Sequence, residues 1–284
     1  MVSIDPGMSS DELIATIKEI YEKLLYKNSI SQNSLTGVGI CVDEQYFSLL
    51  GIKKGPGGAV DYSGFEELTP FIEASRVYGN LTAGLAIAEC DYGKLFRRQP
   101  KKLLLFRYDS RHSCSLCVNQ ELYDGDFSHA SLVGALPCFA AGLPFQEICS
   151  GAVFSQKIRA LFSFEQTPSL WTDSKGDFFE AKRLLNDRNY EPKDLSVVEI
   201  YQEAALCCGF LMRQMNALFQ PDMLILFQGE DSFGSFLSYL LKNLAPGYKE
   251  QGVTLRESLF SGDSVYLGGA ALASRKFFIE TGGC

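Results

Sequence analysis

Apolar residues recur at intervals of three and four at Leu13, Ile14, Ile17, Ile20, Tyr21, Leu24 and Leu25, the signature of a helix with one buried face. Ser9 and Glu12 stand ahead of it at capping-box spacing, so a helix is expected to run from there to about Tyr26. Polar residues 27–33 make a loop, and the run Leu35 to Val42 reads as a buried strand. Gly51 to Gly64 holds five glycines and one proline in fourteen residues, which excludes regular structure. A phosphate-cradling loop would need a helix N-terminus directly behind its glycines, whereas Asp61 and Tyr62 intervene and no Lys-Ser or Lys-Thr pair follows. The stretch therefore reads as a surface or substrate-side loop, with a short helix from Phe65 to Ser75 behind it.

Gly79 to Glu89 is small and apolar behind Asn80, a pattern expected of a strand end turning into a helix whose small face packs tightly. Open α/β sheets bind ligands at the carboxyl ends of their strands, so Asn80 is placed toward a cleft, followed by Leu81, which holds no proton. Leu103 to Phe106 is expected to be a central strand, with Cys114 to Val118 as its partner and Asp124-Gly125 as a turn. Residues Gly134 to Gly151 read as a packed, irregular connection into a helix. Gln166 to Pro192 is polar and holds the single tryptophan, Trp171; it reads as a surface helical insertion. The longest periodic segment begins at Asp194 as cap and ends near Phe219, and the turn Gln220-Pro221-Asp222 leads into the strand Met223 to Phe227, closed by Gln228-Gly229. Helix, proline turn and apolar strand make one crossover of a doubly wound fold. A helix near Ser232 to Leu244, the Val253 to Leu259 segment and a helix from Leu267 to Ala273 complete the pattern.

With 284 residues, 46% hydrophobic and 21% charged, the chain is a globular protein of two lobes rather than a disordered one. A net charge of −8 offers no footprint for nucleic-acid phosphates. No apolar run is read as a bilayer span and no signal peptide as a leader, so a cytoplasmic location is expected. Nine cysteines, an odd number spread along the chain, fit reduced thiols. His112, Cys114 and Cys117 are ligand types at short spacing, but in an extended strand Cys117 points away from the other two, which favours core packing over zinc. Cys138 and Cys149 with His129 offer too sparse a set for a zinc knuckle, and Asp173, Asp177 and Glu180 read as a solvated face. No metal and no cofactor is expected.

The order of these pieces resembles the ROK family (repressor, open reading frame, kinase), and the resemblance spans about Ser9 to Ala273. Asn80 to Ala88-Glu89 keeps the spacing of that family's Asn-Asp-Ala-Asn run leading to Ala-Glu. Leu122-Tyr123-Asp124-Gly125 resembles its Leu-Tyr-x-Gly turn, Ser150-Gly151 its second-lobe opening, Val197 to Gly229 its helix, turn and glycine-ended strand, and Gly269-Ala270-Ala271 its closing motif. The resemblance implies an α/β, two-lobed, actin-like (ribonuclease H-like) ATPase fold, with the first N-terminal strands absent from this chain. It divides the chain into an incomplete first lobe, residues 1–125, and a second, residues 126–284.

The same resemblance places the family's departures. Its catalytic aspartate, the base on a sugar hydroxyl, falls at Leu81. Its phosphate-loop glycines fall at Asp109, Arg111, Ser113 and Ser115, where side chains obstruct backbone approach and Asp109 repels phosphate. Its sugar-binding Glu-x-Gly-His falls at Leu132, Val133, Gly134 and Ala135, and its zinc cysteines leave Cys138 as a remnant. These losses imply a catalytically inactive domain, the effector-sensing or oligomerising part of a sugar-responsive transcriptional regulator. The alternatives are an ATP-dependent sugar kinase and a ligand-free scaffold. Asn80, Gly134 and Gly229 are the expected ligand-binding positions, and no catalytic residue is assigned. The expected partners are a sugar or sugar-derived effector and a second copy of the chain in a dimer or larger homo-oligomer. DNA is reached only through a domain outside this chain, and no membrane is involved.

Overall fold

The computed structural model describes residues 7–55, 60–93, 99–109, 112–123, 133–138, 142–229, 233–260 and 264–279. Arg111, the Asp124-Gly125 turn, His129 and Leu132 fall outside them.

Helix α1 (Ser10–Lys27) starts on the expected capping box, with Glu12 N donating to Ser9 Oγ and Ser9 N to Glu12 Oε2. Its Leu13 joins Val42, Phe47, Leu50, Ile52 and Phe65 in a core of the first lobe. There β1 (Val38–Val42) runs parallel to β4 (Arg76–Asn80), in register from Val38 opposite Arg76 to Val42 opposite Asn80. Among the described residues no strand pairs the other edge of β1. The glycine-rich stretch carries a short hairpin, β2 (Lys53–Lys54) with β3 (Val60–Asp61). Helix α2 (Ser63–Leu68) stops well before Ser75, because Thr69 precedes Pro70 and a residue before proline is pushed out of helical geometry.

The second sheet has the order β7 (Glu121–Leu122), β6 (Ser113–Val118), β5 (Lys102–Tyr108), β8 (Met223–Gln228), β9 (Thr254–Glu257). β5 is antiparallel to β6 and parallel to β8, which is parallel to β9. This sheet joins residues on both sides of the expected lobe boundary at 125. β5 is a continuous apolar run because both its faces are covered. Leu104, Phe106 and Tyr108 enter a large core with α4 (Phe145–Cys149), α5 (Gly151–Leu161), α8 (Leu195–Phe219) and α9 (Gly234–Glu250). Leu103 and Leu105 face the opposite way, toward α3 (Leu81–Asp91) and α10 (Tyr266–Ser274).

Those two helices decide the architecture. α3 packs on β5 and β6, α10 packs on β1 and β4, and the two helices pack on each other, so the pair lies between the sheets. A helix enclosed on all sides cannot be amphipathic, and α3 buries Thr82, Gly84, Leu85, Ala86, Ile87, Ala88, Glu89 and Cys90. The small residues permit backbone contact: a Cβ on Gly39 would lie 1.9 Å from Gly269 O, and one on Gly84 would lie 3.2 Å from the Gly268 backbone.

α8 is long and apolar enough by length and composition to cross a membrane, but its Val197, Ile200, Tyr201, Ala204, Cys208, Leu211 and Met212 are buried in the large core. The polar insertion forms α6 (Pro168–Asp173) and α7 (Phe178–Asn186). Asp194 sits at the N-cap position of α8 yet caps α6 instead, accepting from Ser169 N at 2.9 Å and Leu170 N at 2.8 Å. Asp173 accepts from Tyr190, Asp177 caps α7 and Glu180 pairs with Arg183, three separate duties that agree with a solvated face.

Candidate functional site

The carboxyl ends of β1, β4, β5 and β8 meet where the two sheets face each other, and charged side chains fill the junction. Arg107, near the end of β5, reaches Asp43 just beyond β1 with Nη1 at 2.5 Å and Asp109 with Nη2 at 2.5 Å. All three side chains are at most 16% exposed, so the guanidinium clasps one carboxylate from the end of each sheet out of water. Burial alone would lower the Arg107 pKa, but the flanking Asp43 and Asp109 carboxylates outweigh it and the net shift is upward. Arg107 Nε has no partner among the described residues.

Asn80 ends β4 and caps α3. Its Oδ1 accepts from Thr82 N at 2.8 Å and Ala83 N at 3.4 Å, and its Nδ2 donates to Glu44 Oε1 at 3.0 Å. Glu44 in turn holds Lys54 at 2.7 Å. Leu81, the first residue of α3, packs against the core between the sheets. Across the junction Thr82 and Ser113 share a hydroxyl hydrogen bond of 2.8 Å. Gly229 N donates to Tyr108 O at 2.8 Å, and a Cβ on Gly229 would lie 2.3 Å from Asp109 Cγ, so this glycine makes room for the Asp109 carboxylate. Gly134 N donates to His112 O at 2.9 Å, and a Cβ there would meet His112 N at 2.9 Å. Asn80 and Gly229 thus stand at strand ends of different sheets, each engaged with a neighbour, while Gly134 is set by its contact with His112.

Glu89, at the far end of α3, is fully buried and is held by Arg256 Nη2 at 2.8 Å, Ser258 Oγ at 2.5 Å and Leu259 N at 3.2 Å. Beyond β8 lies a cavity of about 350 Å³ lined by Arg188, Tyr190, Tyr201, Ser235, Tyr239 and Lys242 among others. Its polar groups are internally paired: Arg188 with Gln228 and Glu257, Tyr201 with Ser235, Lys242 with Glu191.

No protein-family model matches the sequence, and no curated protein matches it. Solved structures do. A ROK family glucokinase from Streptomyces griseus in complex with glucose and AMPPNP aligns over 96% of this chain and 90% of its own, with TM-score 0.67 and 15% identity. A ROK family transcriptional regulator, homologous to the E. coli MLC protein, aligns over 95% of this chain and 70% of its own, with TM-score 0.64 and 14% identity. A ROK family protein from Streptococcus pneumoniae in complex with sucrose aligns over 100% of this chain and 91% of its own, with TM-score 0.61 and 11% identity. The chain has the ROK fold.

The sequence resemblance sets Leu81 against the family's catalytic aspartate and Asp109 against one of its phosphate-loop glycines. A phosphate drawn to that loop would meet a net negative cluster, two carboxylates around one guanidinium, in a region of low dielectric. Asp43, Glu44 and Arg107 were not singled out from the sequence, though a cation inside the run Leu103 to Tyr108 is a legible signal, since a charge in a buried strand needs a partner.

Proposed function

We propose that this chain is a catalytically silent ROK-fold domain, serving as the effector-sensing and oligomerising part of a sugar-responsive transcriptional regulator. The observation that carries the reading is the Asp43–Arg107–Asp109 clasp, with Asp109 seated against Gly229. Phosphoryl transfer works by a positioned base and stabilisation of phosphate charge. On the resemblance, neither is offered: the residue set against the base is apolar Leu81 and a residue set against the phosphate loop is the acid Asp109. A regulator needs only that a ligand favour one arrangement of the lobes. The regulator among the structural relatives supports this class, and the glucose- and sucrose-bound relatives support a sugar-like effector. DNA contact is assigned to a domain outside this chain, because a net charge of −8 does not draw a phosphate backbone. The same reading places the protein in the cytoplasm as a dimer.

The test is calorimetry and thermal shift against glucose, sucrose and N-acetylmannosamine, with and without ATP and magnesium, alongside an assay of ADP release. The expected result is a melting-temperature rise with one sugar that ATP-magnesium does not enlarge, and no ADP release. Sugar-dependent ADP release above a no-enzyme control would establish the kinase reading instead. No shift with any sugar would leave the domain as a scaffold.

A further inference from the structure

We propose that His112, Cys149 and Cys208 form a binding site for one divalent soft-ligand metal ion, zinc being the fitting case. His112 immediately precedes β6, Cys149 ends α4 and Cys208 lies within α8, so the three arrive from separate parts of the chain. Cys149 Sγ lies 3.6 Å from His112 Nε2 and 3.5 Å from Cys208 Sγ, and the ligand atoms of all three lie within 4.8 Å of one another. With zinc–sulfur bonds of about 2.3 Å and zinc–nitrogen bonds of about 2.0 Å, a tetrahedral ion sets ligand edges of about 3.8 Å between sulfurs and about 3.6 Å from sulfur to nitrogen. The two edges that meet at Cys149 therefore stand close to coordination length before any ion enters, and the third lies within 4.8 Å.

The second observation concerns His112 itself. It is 1% exposed, and its Nδ1 has no partner among the described residues. Its other nitrogen meets only a thiol, a weak partner for a buried imidazole. A metal bond at Nε2 would replace that weak thiol contact with a strong interaction, Nδ1 being the nitrogen on the far side of the ring from the ion. The ring is also held in place: Tyr108 packs edge-on to it at 4.8 Å between centroids and Phe106 at 5.7 Å. Cys149 and Cys208 are both 0% exposed, and two thiolates with a neutral imidazole balance a divalent charge, so the loaded site is neutral, as a dry interior requires. Binding releases the two thiol protons to solvent and changes no oxidation state. The fourth coordination position falls to a small ligand such as water. None of the three residues stands at positions 132–135 or at Cys138, so this set is separate from the sugar and zinc motifs that the resemblance places there. It differs too from the His112, Cys114 and Cys117 grouping: Cys114 enters the large core, whereas Cys117 enters the core on the other face of the sheet.

The experiment uses the whole chain, reduced and stripped with a chelator, and titrated with cobalt(II). One equivalent is expected to give a thiolate-to-cobalt charge-transfer band and the strong visible bands of a tetrahedral ion, bleached by zinc, and zinc is expected to raise the melting temperature. Cys207→Ser, one residue from the site on α8, should bind as the unmodified chain does. His112→Ala and Cys208→Ser, with folding checked by circular dichroism, should lose more than about 100-fold in affinity, beyond the 10- to 100-fold that outer-shell changes produce. If either variant fails to fold, the unmodified chain decides. Absence of the charge-transfer band, or a band that survives in folded His112→Ala and Cys208→Ser, overturns the proposal. So does a Cys149–Cys208 disulfide in the purified protein that, once reduced, still takes up no cobalt.

Discussion

Arg107 is the residue on which the junction turns, and its replacement separates two effects. In Arg107→Leu the largely buried Asp43 and Asp109 lose the guanidinium they share. The expected loss is about 3–5 kcal/mol, the usual result of removing one member of a buried pair, measured by urea unfolding. Glu89→Ala should cost a similar amount, about 3–5 kcal/mol, because Arg256, Ser258 and the Leu259 amide all converge on that carboxylate. Leu81→Asp puts a carboxylate where the resemblance sets the family's base, yet ADP release with glucose should stay at background, since Asp109 still fills the place against Gly229. Two thiols, Cys114 buried and Cys41 partly so, set an alkaline limit. Burial pushes the Cys41 and Cys114 thiols up to about 12 from an ordinary value of 9.0. Their folded-state pKa lies above the unfolded one, so the stability they contribute is complete below pH 9 and is lost as pH rises from 9 toward 12. Denaturation midpoints should fall above pH 9, and Cys114→Ser should flatten that fall.

At the scale of elements, the contact of α10 with β1 and α3 is made backbone to backbone, and glycine is what allows it. Gly39→Ala would put a methyl 1.9 Å from Gly269 O, which belongs to a helix packed on two sides. The strand must move, and a loss of at least about 1–3 kcal/mol is expected in thermal or urea unfolding. Gly247 is the opposite case. It lies inside α9 directly after Pro246, and a Cβ there meets nothing within 4 Å. Gly247→Ala should therefore stabilise the protein by about 0.5–1 kcal/mol, the backbone entropy that glycine loses in a helix.

For the whole molecule, the sandwich of two sheets around α3 and α10 ties the lobes together. Neither sheet can be stripped without exposing a helix that is apolar on every side. Unfolding followed by far-ultraviolet and near-ultraviolet circular dichroism should show one coincident transition; two separated transitions would mean that the lobes fold independently.

Periodicity alone determined much of this molecule. The helix from Ser10, the central strand at Leu103 to Phe106 and the crossover from Asp194 to Gly229 rest on local patterns, because burial of one face imposes a repeat on the sequence wherever the face is built from neighbouring residues. The expected end of α2, at Ser75, lies too far along the chain, although Thr69-Pro70 holds the stop signal in the sequence itself. Tertiary structure alone decided what the charged and small residues do. Arg107 could be read only as a misfit until Asp43 and Asp109 closed on it, and Asp194 was assigned to its own helix until it proved to hold the start of α6. His112 had Cys114 and Cys117 as sequence neighbours, while its spatial neighbours, Cys149 and Cys208, come from elements folded over the sheet. The physical reason is common to all three: ion pairs, caps and ligand clusters form between groups brought within a few ångströms by packing, and such proximity leaves no period in the chain.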